Sequence, residues 1–238
     1  MSSLYLIRHG QAGTRGHYDA LSDLGRRQAY LLGQHLAAQK VPFTAFMAGC
    51  LNRQRQTAEQ VWRAYREGGL ATPDIVLDPQ WNEFDMTGVF SEYAPLLRED
   101  DPQFRQDYQE LLRKLEDEHS PVHHTWTDCD TRVMRAWMEG RYTCRTESWV
   151  AFGQRVMGAR ASLAAYRPGD AVAISTSATP IAIWVAAALG ISDGKIMPLA
   201  GVMRNSAVTT MRLRDDELML VSFNGVPHLN APELRTFR

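Results

Sequence analysis

Four short apolar runs, each closed by polar residues and separated by helical patterns, constrain this chain more than any other feature. Leu4–Ile7, Phe43–Met47, Ile75–Leu77 and Ala171–Ile174 are too short for helices and read as buried strands. Ser22 is placed to cap a helix carrying Leu24, Leu31, Leu32 and Leu36 at helical spacing. A second helix is expected from about Asn52 to Arg66, and another near Trp149 to Tyr166 with Phe152, Val156 and Leu163 on its core face. A further helix runs from Thr179 to Leu189, with Pro180 read as its first position. Val208–Leu213 and Glu217–Phe223, around Arg214-Asp215-Asp216, read as a hairpin or two late strands. Alternating strands and helices imply an α/β fold, a three-layer α/β/α sandwich on a mostly parallel sheet.

The alternation stops between about Phe90 and Glu147. That stretch is rich in charge and opens with a stripe of Phe104, Tyr108, Leu111, Leu112 and Leu115, the spacing of an amphipathic helix. It is read as an inserted helical cap, residues 86–147, within a single domain covering 1–238.

Charge and cysteine usage narrow the partners. The 238 residues carry 26 Lys+Arg against 27 Asp+Glu, a net charge of −1, which argues against a nucleic-acid binder. The three cysteines, Cys50, Cys129 and Cys144, are scattered and odd in number, so a reduced, cytoplasmic chain is expected rather than a disulfide framework. The N-terminal residues reach Arg8 too soon for a secretory signal. Between Asp170 and Asp193 no residue is charged, but Ser175, Thr176, Ser177, Thr179 and Pro180 break the run. A buried strand, turn and helix fit it better than a membrane span. His119, His123 and His124 lie near Asp128, Cys129 and Asp130, yet Ser120 and Pro121 interrupt the helix that a shared metal would need, and no metal is expected.

In a sheet of this kind, ligands bind beyond the carboxyl ends of the strands. Arg8-His9-Gly10 follows the first strand, Glu83 another, and Thr176-Ser177 the strand ending at Ile174, while Arg53 lies early in the second helix. A neutral imidazole is a competent nucleophile near pH 7. Two guanidinium groups fork onto phosphoryl oxygens, glycine lets the backbone approach, a carboxylate moves the proton, and a helix N-terminus adds partial positive charge. The collection suits one phosphoryl group. Singly, each residue also fits a bland role (a surface turn, a loop acid, a solvated helix face), and spacing alone leaves that choice open.

Several segments together resemble the histidine phosphatase superfamily in its phosphoglycerate mutase-like branch. They are Leu6-Ile7-Arg8-His9-Gly10-Gln11-Ala12, then Leu21-Ser22 with Gly25 and Gln28-Ala29, then Leu51-Asn52-Arg53-Gln54-Arg55-Gln56-Thr57-Ala58, and Trp81-Asn82-Glu83. The resemblance implies a phosphohistidine intermediate on His9, phosphoryl binding by Arg8 and Arg53, and proton transfer by Glu83, with Asp85 as fallback acid. Gly10, Gln11, Arg15 and Ala178 would contact substrate. It further implies no cofactor, since the arginines supply the positive charge, and a small phosphorylated substrate rather than a nucleic acid or membrane. The family's usual second histidine falls on Ser177, in a segment resembling the Thr-Ser-Gly-Gly-Pro-Ile form of some relatives. Losing a charge-assisted hydrogen bond there costs about 1.5–3 kcal/mol, or about 10- to 150-fold in rate. A phosphomonoesterase of reduced activity is therefore expected. The loop from Gln11 to His17 lacks the Glu-Ser-x-Trp-Asn pattern of glycolytic mutases, which places mutase-type phosphotransfer behind hydrolysis; a non-catalytic phosphate- or phosphoprotein-binding module is the other alternative. His228 is a candidate to compensate for Ser177, against the plainer reading of a packed tail histidine.

Overall fold

A computed structural model of the chain describes residues 1–13, 18–123, 125–214 and 217–237. The strands are β1 (Ser2–Arg8), β2 (Phe43–Ala48), β3 (Ile75–Leu77), β4 (Ala171–Thr176), β5 (Val208–Arg214) and β6 (Glu217–Gly225). The helices are α1 (Asp23–Ala38), α2 (Asn52–Glu67), α3 (Met86–Asp100), α4 (Pro102–Leu115), α5 (Asp128–Met138), α6 (Trp149–Gly158), α7 (Arg160–Leu163), α8 (Ala178–Leu189) and α9 (Ile196–Gly201). The chain divides into two compact units: Met1–Glu83 with Val156–Arg238, and Phe84–Arg155.

The first unit holds one six-stranded sheet of order β3-β2-β4-β1-β5-β6. β3, β2, β4 and β1 pair in parallel, and the β5–β6 hairpin closes the β1 edge antiparallel. Side chains alternate across the pleat. Ala171 and Ala173 of β4 join Phe43, Phe46, Leu32, Leu36, Val61 and Tyr65 in a core beneath α1 and α2, while Val172 and Ile174 are buried on the other face. Phe43, Phe46 and Tyr65 meet with ring centroids 5.2–5.5 Å apart, and the Tyr65 hydroxyl donates to the Val41 carbonyl. That bond gives the polar end of a deeply buried aromatic its partner. α8 packs against β1 and β6.

β1 and β4 are neighbours, but their connections leave in opposite directions, β1 toward β2 and β4 toward β5. Such a switch point opens a crevice at the carboxyl ends of the two strands. Register places Arg8 beside Thr176, so His9 and Ser177 are the first residues past the ends of adjacent strands.

The second unit is helical, with α3, α4 and α5 packed on one another. Phe84, Trp137, Trp149 and Phe152 form an aromatic cluster in it. Asp101 caps α4 by accepting from Phe104 N–H at 3.0 Å, and Arg132 bridges Asp101 and Asp107. Thr127 and Asp130 form a reciprocal capping box at the start of α5.

Several sequence expectations need correction. Leu112 is exposed: it adjoins buried Leu111, and one step along a helix rotates it about 100° off that face. α3 was hidden by Gly88 and by Pro95 within it, although Val89, Tyr93, Ala94 and Leu97 make its buried face. The helix expected from Trp149 to Tyr166 breaks after Gly158 and resumes as the single turn α7. α8 begins at Ala178, so Pro180 is its third residue rather than its first; its missing N–H still falls among donors with no intrahelical partner. Asp130 is spent on the α5 cap and His123 Nε2 lies 3.0 Å from the Asp117 carbonyl. His124 lies outside the described residues. Among the described residues no cluster of His, Cys, Asp or Glu has a metal-holding arrangement, and no helix is long and apolar enough to cross a membrane. All three cysteines are free thiols.

Because Phe46 is 1% exposed and shares its contacts with Phe43 and Tyr65, Phe46→Ala is expected to cost about 3–5 kcal/mol in urea unfolding. A loss below about 1 kcal/mol would show that this cluster does not hold α2 on the sheet.

Candidate active site

His9 leaves β1 with its N–H on the Thr176 carbonyl at 2.9 Å and its own carbonyl accepting from Ser206 N–H at 3.2 Å. The imidazole is 2% exposed. Its Nδ1 lies 2.8 Å from the Gly10 carbonyl. A carbonyl oxygen only accepts, so Nδ1 carries the hydrogen and Nε2 presents a lone pair. Burial, and then the charges of Arg53 and Arg8, hold the imidazole well below the usual histidine value. It is neutral wherever an ordinary histidine would begin to protonate.

The loop carrying His9 is tied to α2. Gly10 N–H donates to Thr57 Oγ1 at 3.0 Å, and that hydroxyl donates to the Arg53 carbonyl at 2.7 Å. Gly10 and Gly25 pass so closely that a Cβ on Gly10 would lie 2.3 Å from the Gly25 carbonyl oxygen, and one on Gly25 2.0 Å from that of Gln11. Only glycine fits either position. Gln56 Oε1 accepts from Leu21 N–H at 2.9 Å, and Gln28 Oε1 from Gln11 N–H at 2.8 Å. Gln28 also donates to the Leu234 carbonyl at 2.7 Å, pinning the C-terminal segment against the same loop.

Both arginines are buried. Arg8 donates to the Met203 carbonyl. Burial draws its guanidinium down from the ordinary value, while Tyr18 and Glu83 favour its charge, and an arginine stays protonated through this. Arg53 lies over the Tyr18 ring at 5.0 Å, and the same ring meets His9 edge-on at 6.0 Å. The Asp19 carboxylate accepts from Arg53 at 3.2 Å and from Asn52 at 2.8 Å. Both guanidinium Nε atoms are buried without a hydrogen-bond partner. Buried donors of this kind, beside a carboxylate already seated on Arg53, mark an anion pocket.

The opposite wall comes from the Trp81–Glu83 loop and the start of α8. Trp81 stacks on Trp184 with centroids 5.1 Å apart. Its carbonyl accepts from Thr176 Oγ1 at 2.5 Å and from Gln54 Nε2 at 3.1 Å. Glu83 is half-buried, with Oε2 accepting from Thr179 N–H of α8 at 3.2 Å. Ser177 is 1% exposed and its Oγ accepts from Gln54 Nε2 at 2.8 Å.

Arg8, His9, Arg53, Glu83 and Ser177 thus lie in one linked cluster. Gly10 is part of its backbone, and Ala178 is the half-buried first residue of α8. Gln11 gives its side-chain oxygen to Ser22 Oγ at 2.8 Å. Arg15 lies outside the described residues. Asp85 accepts from Gly88 N–H at 2.9 Å as the α3 cap, which accounts for it without proton transfer. His228 is packed: its Nε2 meets Ser206 Oγ at 2.7 Å, Nδ1 has no partner, and burial with His35 nearby lowers it to about 3. A histidine that stays neutral cannot return the charge lost at Ser177. Sequence reasoning missed Tyr18, Asp19 and Gln54, whose positions carry no signal apart from the fold.

Residues 4–142 match the model of the histidine phosphatase superfamily, branch 1, and the chain belongs to that family. The mitochondrial serine/threonine-protein phosphatase Pgam5 of Caenorhabditis briggsae is 26% identical over 127 residues, 46% of this chain and 45% of that protein, so the match spans about half of each. YhfR of Bacillus stearothermophilus has the same fold, with a TM-score of 0.67 and 20% identity over 97% of this chain and 100% of that one. So do a phosphoserine phosphatase of Entamoeba histolytica (0.62, 17%, over 96% and 100%) and a mycobacterial glucosyl-3-phosphoglycerate phosphatase (0.60, 22%, over 94% and 98%).

Folding with neutral, buried histidines carries a pH cost. The unfolded chain protonates His228 below about pH 6.5, whereas the folded chain holds it neutral to about 3. Stability is therefore present above the unfolded value and falls as pH drops through it, by about 2 kcal/mol at pH 5 from this residue. In urea unfolding at pH 5–7, His228→Gln is expected to flatten that slope by about one proton. An unchanged slope would contradict the assignment.

Proposed function

We propose that this protein hydrolyses phosphomonoesters of small molecules through a phosphohistidine on His9. The observation that carries the reading is the fixed tautomer of a buried, neutral imidazole flanked by two buried guanidinium groups. In the first transfer the Nε2 lone pair attacks phosphorus and the bond from phosphorus to the ester oxygen breaks. Glu83 gives that oxygen its proton. In the second, Glu83 takes a proton from water, the water oxygen attacks phosphorus, the bond to Nε2 breaks, and His9 returns neutral with inorganic phosphate released. Both transfers are in line, so charge spread over the three equatorial oxygens is held by Arg8 and Arg53. The entering phosphoryl group displaces Asp19 from Arg53, exchanging one anion for another.

The family and the phosphatases sharing its fold favour hydrolysis over binding alone. A pure binder has no use for a nucleophile with its tautomer set. Ser177 offers a neutral donor where a charged one would stabilise more, so a modest rate is expected. A small phosphorylated metabolite is the proposed substrate class. No cofactor enters the scheme.

Hydrolysis of an aryl phosphate by wild type is expected to exceed that by His9→Ala by at least about 10³-fold. Equal rates across a panel of phosphoesters would leave a binding module as the surviving reading. Because His9 is held below the ordinary value near 6.5, kcat/KM should show no acid-side loss titrating there. At pH 5.5 an unperturbed histidine would be about nine-tenths protonated, and a tenfold fall in kcat/KM at that pH would contradict a buried neutral nucleophile.

A further inference from the structure

We infer that Gln54 is a positioning residue that fixes the Ser177 hydroxyl as a hydrogen-bond donor toward the transferring phosphoryl group. The inference rests on the phosphoryl-transfer reading above and adds a residue to it. Gln54 directly follows Arg53 on α2 and is fully buried. Its Nε2 lies 3.1 Å from the Trp81 carbonyl and 2.8 Å from Ser177 Oγ. The carbonyl only accepts, so nitrogen, not oxygen, must face this side, and both amide hydrogens are then committed. One is received by Ser177 Oγ. The serine's own hydrogen must therefore point elsewhere than at Gln54 Nε2.

The place where that hydrogen is offered matters. Ser177 is the first residue past β4, beside His9 past β1, and its hydroxyl does not cap α8. An unconstrained serine hydroxyl can accept as readily as donate, and at a helix start it ordinarily turns its oxygen to the backbone N–H groups. Gln54 occupies the accepting side and leaves the donating side for an oxyanion. Packing does not require this amide: Gln54 Oε1 is buried without a partner, an orphan that an apolar side chain would not create. Methionine at 54 is thus expected to fold, since the Trp81 carbonyl keeps Thr176 Oγ1.

A double-mutant cycle on aryl phosphate hydrolysis tests the inference, with His9→Ala as the control. Gln54→Met and Ser177→Ala should each lower kcat by about 3- to 10-fold, and the double variant should be no slower than Ser177→Ala. An unchanged kcat in Gln54→Met, or losses that multiply in the double variant, would overturn the inference and leave the phosphatase reading standing. Wild type no faster than His9→Ala would remove both. The near-isosteric Gln54→Glu gives a second readout should Gln54→Met not fold. Its ionised carboxylate would take the Ser177 hydrogen, so kcat should fall as the carboxyl ionises and recover on acidification, and this limb should vanish in the Ser177→Ala background. The same limb with and without Ser177 would mean that Gln54 acts by packing or charge rather than through the hydroxyl.

Discussion

The hydrogen bond between His9 Nδ1 and the Gly10 carbonyl is the contact on which the rest of the site depends. An imidazole in water exchanges its proton between two nitrogens and gains a second one below its pKa; here the first is held on Nδ1 and the second is disfavoured. The carbonyl fixes the tautomer, while burial and two neighbouring cations keep the second proton away. Those same cations are what a phosphoryl group needs. In the proposed transfer, the environment that binds the anion would therefore also keep the nucleophile deprotonated, so the two requirements reinforce each other.

Helix α2 turns that arrangement into a rigid one. Arg53 faces the pocket, Gln54 reaches Ser177, Gln56 holds Leu21, and Thr57 clamps Gly10, all from the first turns of one helix. Ser175 of β4 closes the frame by donating to the Gln54 carbonyl at 2.9 Å. A group held on a helix anchored to the central strand is positioned more closely than one held on a loop. This gives a physical reason for the packed sequence Leu51 to Ala58, in which only some residues would face a ligand.

Much of this was legible in the sequence because it rests on periodicity and on the ends of strands. Short apolar runs marked β1 to β4, the two runs flanking Arg214-Asp215-Asp216 read as a hairpin or two late strands, and polar residues at strand ends gathered Arg8, His9, Glu83 and Ser177. What stayed hidden is tertiary. Tyr18 and Asp19 lie outside the quoted segments, and their place beside Arg53 is set by the fold. Gln54 reads as an unremarkable helix residue until Ser177 is brought within 2.8 Å of it. For His228 the plainer reading, a packed tail histidine, is the one its burial against Ser206 supports. Asp85 looked like an alternative acid two residues from Glu83, but its carboxylate is taken by the α3 cap.

His9 Nε2 is the atom proposed to carry the phosphoryl group, and the isomer of phosphohistidine reports on it directly. After rapid mixing with a phosphoester and quenching at alkaline pH, where phosphorylated histidine survives, the labelled peptide can be mapped and its isomer assigned by NMR. Phosphate on His9 at Nε2 is the predicted result, because Nδ1 is committed to the Gly10 carbonyl. Phosphate at Nδ1, on another residue, or on none while hydrolysis proceeds would contradict the account.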